Sequence, residues 1–303
     1  MIAAVIVTYN RKELLGENIQ MLLKQTYPFD QIIIVDNCST DGTDEYLQKN
    51  GWKNSNQFVY IKTESNIGGA GGFYTGSKVA FENGADWIVL MDDDGKMADE
   101  FVLGYLMEVA EKLYEKKCAG RKLFINALVQ QGELLSFKMG TKYTVQQVLE
   151  VARNGMLEGE ANPFNGTLIS RELVEEIGFP NKDFFIKGDE VDYKQRTLAA
   201  GGYIATVVKA RYCHPRPEVQ ERIVFRKKVP FVVETPWKEY YTARNFTYMY
   251  KRQGWYKAIM FELVLVKVLA IFTMNCEKIE TLKMLFRGIV DGWKNNLGAT
   301  VKP

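Results

Sequence analysis

Three aspartates in a row, Asp92, Asp93 and Asp94, follow directly on an apolar run, Trp87 to Met91. Adjacent carboxylates repel one another, and a bound cation relieves that repulsion at the end of a buried strand. Mg²⁺ or Mn²⁺ suits such oxygen donors, since each takes one or two carboxylates and completes its shell with substrate phosphates and water. A solvated acidic turn is the plain alternative for the triplet alone; the strand ahead of it favours metal. A second cluster, Gly68, Gly69, Gly71 and Gly72 around Ala70, is a loop leading into a helical pattern. It either lets a phosphate or sugar approach the backbone or supplies a turn of positive φ. It has neither the Lys-Ser/Thr of a P-loop nor the G-x-G-x-x-G spacing. In GDEVDYKQR, Gly188 to Arg196, the acids Asp189, Glu190 and Asp192 fall in the first turn of a predicted helix. The helix dipole favours acids there without any function; alternatively, one of them is a general base for an acceptor hydroxyl. The single histidine, His214 in RYCHP, is either a satisfied structural residue or a metal ligand.

Such residues act together only if the fold gathers them. Ala3 to Thr8 and Ile32 to Val35 are β-branched runs without alternation, the pattern of parallel strands buried on both faces. Leu15, Ile19, Leu22 and Leu23 recur at helical spacing between them. Asp41-Gly42 marks a turn, with Thr43 as a helix N-cap, and Phe58 to Ile61 and Trp87 to Met91 are the third and fourth strands. Alternating strands and helices with short links predict a parallel α/β sheet, whose ligands gather at the carboxyl ends of the strands. Beyond it the sequence predicts a helix near Asp99 to Lys117, then turn-rich short strands to about Gly140 and a helix near Thr144 to Asn154. A strand Phe164 to Ile169, a helix capped by Ser170, a helix from Asp189 and a strand Tyr203 to Val208 follow.

The 303 residues allow one large α/β domain or a domain with an appendage. With 47% apolar residues and only 8 Pro, disorder over most of the length is excluded. Cys38, Cys118, Cys213 and Cys276 form no C-x-x-C pair, which fits a reducing compartment better than a disulfide framework or structural zinc. The first ten residues lack a basic region and a cleavage site, so they read as a strand and not as a signal peptide. Residues 209–257 hold 12 Lys and Arg against 4 Asp and Glu, a basic segment that asks for an anionic partner such as nucleic acid, a membrane surface or a phosphorylated substrate. Within it, Tyr240, Arg244 and Tyr248 share one helical face, either to stack on a sugar or lipid diphosphate or to pack on the sheet. Ala258 to Cys276 is apolar for nearly a membrane span, but Glu262 and Lys267 interrupt it. An amphipathic helix on the membrane, or an oligomer interface, fits better than a span.

Taken in order, VIVTYNR, IIIVDNCSTDGT, NIGGAGGF, MDDD, FFIKGDEVDYKQR and CHP resemble the family 2 glycosyltransferases, inverting enzymes of the GT-A fold, across residues 1 to about 214. N-x-GG-x-GGF followed by MDDD, by D-[DE]-x-[DE]-Y and by a histidine is similar to the bacterial galactofuranosyltransferase and rhamnosyltransferase branch. The resemblance implies a Rossmann-like, mostly parallel sheet flanked by helices over 1–215, and a mainly helical, basic and aromatic extension over 216–303. It also implies that Thr8 and Asp36 contact the donor nucleotide, that Gly69, Ala70, Gly71 and Gly72 line the donor pocket, and that Asp93 lies by the ribose or sugar. Asp92, Asp94 and His214 would hold Mn²⁺ or Mg²⁺. Glu190 takes the position of the base, with Asp189 orienting donor or acceptor; the family has Asp where Glu190 stands, so Asp189 remains the alternative base. The expected reaction moves galactofuranose from UDP-galactofuranose to a cell-surface glycan or lipid-linked glycan. A dTDP-rhamnose donor is the alternative, and a nucleotidyltransferase is disfavoured by the lack of a basic loop after the first strand. The expected setting is the cytoplasm, with peripheral contact at the inner membrane face or a homo-oligomer; nucleic acid is not an expected partner.

Overall fold

The computed structural model describes residues 1–137, 139–216, 219–224, 227–232, 234–252, 256–273 and 277–301. The chain divides into two compact units, residues 1–180 with 193–216, and residues 181–192 with 217–303. The expected division after residue 215 put 181–192 in the catalytic domain. They group with the C-terminal unit because a C-terminal helix hydrogen-bonds their carbonyls.

In the first unit, β1 (Ile2–Thr8), α1 (Lys12–Leu23), β2 (Gln31–Asp36), α2 (Thr43–Lys49), β3 (Phe58–Lys62), α3 (Gly68–Glu82) and β4 (Trp87–Asp92) make the alternating half. There follow β5 (Lys96–Met97), α4 (Val102–Glu115), β6 (Leu123–Gln131), β7 (Leu134–Leu135), α5 (Met139–Lys142), α6 (Val145–Val151), β8 (Met156–Glu158), β9 (Asn165–Ser170) and α7 (Arg171–Ile177). Helix α8 (Asp189–Ala199) crosses the boundary between units, and β10 (Tyr203–Cys213) returns to the sheet. The sheet runs β3-β2-β1-β4-β9-β6-β10-β5. Its first four strands are parallel, β9 lies antiparallel to both neighbours, and β10 is parallel to β6.

All seven residues of β1 are buried, as a strand covered on both faces requires. Ile2, Ala4 and Ile6 pack with Leu15, Ile19 and Leu22 of α1, while Ala3, Val5 and Val7 pack with Phe73 and Ala80 of α3. The period of two thus divides the core into two layers. Where turn-rich short strands were expected, the structure has the nine-residue β6 and the two-residue β7; β6 is buried through Val129, and the polar Asn126 within it takes a hydrogen bond from Thr167 at 2.7 Å. Thr43 is the first residue of α2 and not its N-cap. Gly42, with φ 87°, is the cap, and the Asp41 carboxylate accepts from the Thr43 amide and hydroxyl.

In the second unit, the hairpin β11 (Val219–Val224) and β12 (Lys227–Val232) precedes α9 (Pro236–Arg252), α10 (Tyr256–Phe272) and α11 (Lys278–Lys294). Helices α9 and α11 approach closely at Gly288 and Gly292, where a Cβ would fall 2.4 Å from Tyr240 O and 2.2 Å from Arg244 O. Tyr240 and Arg244 have no exposed surface. Tyr240 and Arg244 are therefore interior packing, against α11, which excludes the first of the two alternatives for these two side chains, stacking on a ligand. Lys267, which interrupts the apolar run, pairs at 2.8 Å with the buried Glu239. Cys276 lies outside the described residues. Among the described residues no helix is long and apolar enough to cross a membrane.

Candidate active site

Parallel strands deliver their carboxyl ends to one edge. Thr8 stands beside Asp36, and Val7 beside Asp92. Strand β10 brings the last component: Cys213 pairs antiparallel with Lys96, two residues past the acidic triplet, so His214 comes against it. One carboxylate oxygen each from Asp92 and Asp94 and one imidazole nitrogen of His214 lie within 4.8 Å of one another. Residues predicted as a set from positions more than a hundred apart are thus gathered.

The His214 ring carries information about its protons. Its Nδ1 faces the Pro215 carbonyl at 2.7 Å, an acceptor only, so Nδ1 bears a hydrogen. The neutral imidazole then points the lone pair of Nε2 at Asp94 Oδ1, 3.1 Å away. Two acceptors at that distance need a proton or a metal cation between them. Backbone fixation of the second nitrogen is the usual support for a metal-binding histidine, and two carboxylates with one imidazole form a donor set that Mn²⁺ or Mg²⁺ accepts. The residues fit a divalent cation. Burial alone would depress the imidazole, but its hydrogen bond to Asp94 and the charges of Asp94 and Asp92 raise it above its ordinary value. Burial likewise works to raise Asp94, yet His214 and then Arg11 hold its carboxyl below the usual range.

Asp93 turns inward and is 4% exposed. It accepts from Thr8 Oγ1 at 2.8 Å and Arg11 Nη1 at 3.0 Å. Burial dominates and raises its carboxyl despite those partners. Arg11 also reaches Asp94 at 2.8 Å. Its importance was missed in the sequence, although it follows β1 at the edge where the triplet ends, which is the signal that could have found it. Asn18, equally missed, donates to the Asp92 carbonyl at 3.0 Å.

Asp36 is fully buried, accepting from Tyr60 Oη at 2.7 Å and from the Ser39 amide at 2.8 Å. Those bonds fix the carboxylate at the strand end, where it has no exposed surface. The neighbouring Asn37 donates to the Gly68 carbonyl at 3.0 Å and ties the glycine cluster to this edge. That cluster is not a loop: Gly68 to Gly72, with Ala70, form the first turn of α3, and of these only Gly68 has positive φ. Gly72 is a packing residue, since a Cβ there would meet Val7 Cγ1 at 2.4 Å, whereas Gly69 opens on empty space.

Asp189 and Glu190 belong to the second unit, at the start of α8. Asp189 is 5% exposed; Glu190 is more open, and its Oε2 accepts from the Gly188 amide at 2.9 Å.

Residues 3–148 match the family model described as Glycosyl transferase family 2. The chain is 30% identical over 255 residues to the galactofuranosyltransferase GlfT1 of Mycobacterium tuberculosis, covering 83% of this chain and 82% of that protein. It is 28% identical over 263 residues to the GlfT1 of Mycolicibacterium smegmatis, covering 84% of each. Among solved structures, the mannosyltransferase PcManGT from Pyrobaculum calidifontis, in complex with GDP-Man and Mn²⁺, is similar with a TM-score of 0.52 at 15% identity over 97% of this chain and 75% of that one. GalNAc-T7 with UDP, GalNAc and Mn²⁺ gives a TM-score of 0.54 at 17% identity over 71% of this chain; the match spans 43% of GalNAc-T7. At such identities these two speak for the fold alone, which is of the GT-A type.

Proposed function

The chain belongs to the family 2 glycosyltransferases and is a glycosyltransferase, and from that premise we propose that it transfers galactofuranose from UDP-galactofuranose, with inversion, to a hydroxyl of a growing cell-surface glycan. The observation that carries the donor is the likeness to the mycobacterial galactofuranosyltransferases over four-fifths of both chains. Asp92, Asp94 and His214 are the proposed holders of a divalent cation; the approach of His214 Nε2 to the Asp94 carboxylate, with Nδ1 held by the Pro215 carbonyl, supports this reading. Bound there, such an ion supplies Lewis-acid neutralisation of a diphosphate leaving group. Asp36 is the proposed contact of the base edge, reached once the edge above it opens, and Asp93, fixed by Thr8 and Arg11, orients the ribose or sugar.

Glu190 is the proposed base. As the acceptor oxygen bonds to the anomeric carbon, its proton passes to the carboxylate, and the bond from that carbon to the diphosphate oxygen breaks with its electron pair going to the nucleotide diphosphate. One in-line displacement inverts the centre and needs no covalent enzyme intermediate. The acceptor is proposed to be lipid-linked and met at the cytoplasmic membrane surface. In support, α11 exposes Ile279, Phe286, Val290 and Trp293 along one stripe, bordered by the exposed Lys283, Arg287 and Lys294, the make-up of a helix lying on an anionic bilayer.

The test is nucleotide release from a panel of nucleotide sugars with Mn²⁺ and a galactan-like acceptor. Release from UDP-galactofuranose above all others is expected. Turnover of dTDP-rhamnose without UDP-galactofuranose would replace the donor, and pyrophosphate release from a sugar phosphate and a nucleoside triphosphate would replace the reaction class.

A further inference from the structure

The segment leading into the acidic turn is held in a conformation that L residues rarely adopt. Phe185, Lys187 and Gly188 have φ of 64°, 67° and 87°, three left-handed positions within four residues. Two adjacent side chains of α9 hold it. Asn245 Nδ2 shares its two N–H donors among the carbonyls of Phe184, Ile186 and Lys187, at 3.1, 2.9 and 2.7 Å. Arg244 Nη2 donates to those of Asp183 and Phe184 at 3.2 and 2.8 Å. Arg244 Nε in turn donates to Asn245 Oδ1 at 2.8 Å, and its Nη1 to the Gly298 carbonyl at 2.5 Å.

Neither side chain has exposed surface. The Arg244 guanidinium lies over the rings of Tyr241 and Tyr240, 4.7 and 5.6 Å from their centroids. Burying a guanidinium that donates to carbonyls, an amide and a hydroxyl is costly if all it does is fill the core, where an apolar side chain packs as well. Its fork instead satisfies backbone groups on two separate segments, which an apolar side chain cannot do. The Gly188 that ends the held segment lies against α9, its Cβ position 3.2 Å from Met249 Cε, and it donates its amide to Glu190.

We propose that Arg244 and Asn245 are positioning residues for the reaction: they fix the backbone of Asp183 to Gly188 and so set the direction of the Glu190 carboxylate. This rests on the reading of Glu190 as the base, and a double-mutant comparison separates the two.

Asn245→Ala is expected to lower kcat about tenfold or more with donor KM within about twofold, and to speed amide hydrogen exchange over residues 184–188. In a Glu190→Gln background the same substitution should cost less than about twofold further, because its effect passes through that carboxylate. An equal loss of kcat in both backgrounds, or an unchanged kcat despite faster exchange, overturns the proposal. Glu190→Gln with full turnover overturns the base assignment first. Should Asn245→Ala not fold, Asn245→Ser, which retains a donor for one of the three carbonyls, carries the same comparison.

Discussion

Asp94→Asn keeps the side-chain volume and removes the charge. In metal-free protein the Asp94 carboxylate faces Arg11, 48% exposed, and His214, 12% exposed. The Arg11 contact is half in water and is worth at most about 1 kcal/mol. For His214 at 3.1 Å, an effective dielectric of about 20 gives roughly 5 kcal/mol of gross attraction. Burial of both partners and relief of repulsion on Asp93 work against it, leaving about 1–2 kcal/mol net. The sign follows from the two shifts. Asp94 is depressed, so its part is present above the ordinary carboxylate value and is lost as pH falls through the folded value. His214 is raised, so its part is complete below the ordinary imidazole value and is lost as pH rises through the folded value. The pair therefore contributes in full between about pH 4 and 6.5. In chelator at pH 6, Asp94→Asn should melt about 2–5 °C below wild type, with the gap narrowing as pH rises through the raised folded value of His214. Added Mn²⁺ at a hundredfold excess over its Kd should contribute about 2.7 kcal/mol to wild type and little to the variant. Scanning fluorimetry with EDTA or Mn²⁺ at both pH values, alongside turnover, measures all of this. A variant that keeps both the Mn²⁺ shift and turnover, or a wild type fully active in EDTA, refutes the metal assignment.

Glu190→Gln should lower turnover by about 10² or more while donor and metal binding persist; the pH profile should lose its acidic limb, and retention of the limb with its loss in Asp189→Asn would exchange the two roles. Gly72→Ala forces a Cβ onto Val7 and should cost about 1–3 kcal/mol by denaturant unfolding. Gly69→Ala enters open space and should leave stability unchanged while raising donor KM; an unchanged KM would remove Gly69 from the donor pocket. Co-sedimentation with anionic vesicles should fall on raising salt and on Phe286→Ser with Trp293→Ser, and equal recovery with neutral vesicles would count against a bilayer partner.

The parallel half of the sheet was legible because its signal is local. Ala3 to Thr8 and Ile32 to Val35 are unbroken apolar runs, and parallel pairing then dictates that Thr8, Asp36 and Asp92 share an edge. The approach of His214 was not local: it depends on β10 lying beside β6 and turning back on β5. The resemblance supplied that residue where periodicity did not. Strands were expected around β6, but its length was not legible, because Asn126 and the Gln130-Gln131 pair break its apolar pattern, although Asn126 is satisfied by Thr167 across the strands. The glycine cluster was legible as special but not as what it is, since a glycine needed for helix-to-strand contact and one needed for a turn look alike until Val7 is seen against Gly72.

Helix α9 is the case in which composition left the choice open. YYTARNFTYMYKR reads as well for a surface that offers rings and charge to a ligand as for a helix that packs its aromatics on the sheet. The structure buries Arg244 completely and leaves Tyr248 partly exposed. The physical reason lies outside the helix: the backbone ahead of α8 turns irregular after Phe184, its carbonyls at Ile186 and Lys187 face α9, and a guanidinium with five donors next to an amide with two is a compact means of satisfying such groups. A sequence reader who asked where the carbonyls of Asp183 to Lys187 go, ahead of a candidate catalytic acid, would have looked for such donors in the nearest apolar helix. Arg-Asn in the midst of tyrosines is what that search returns.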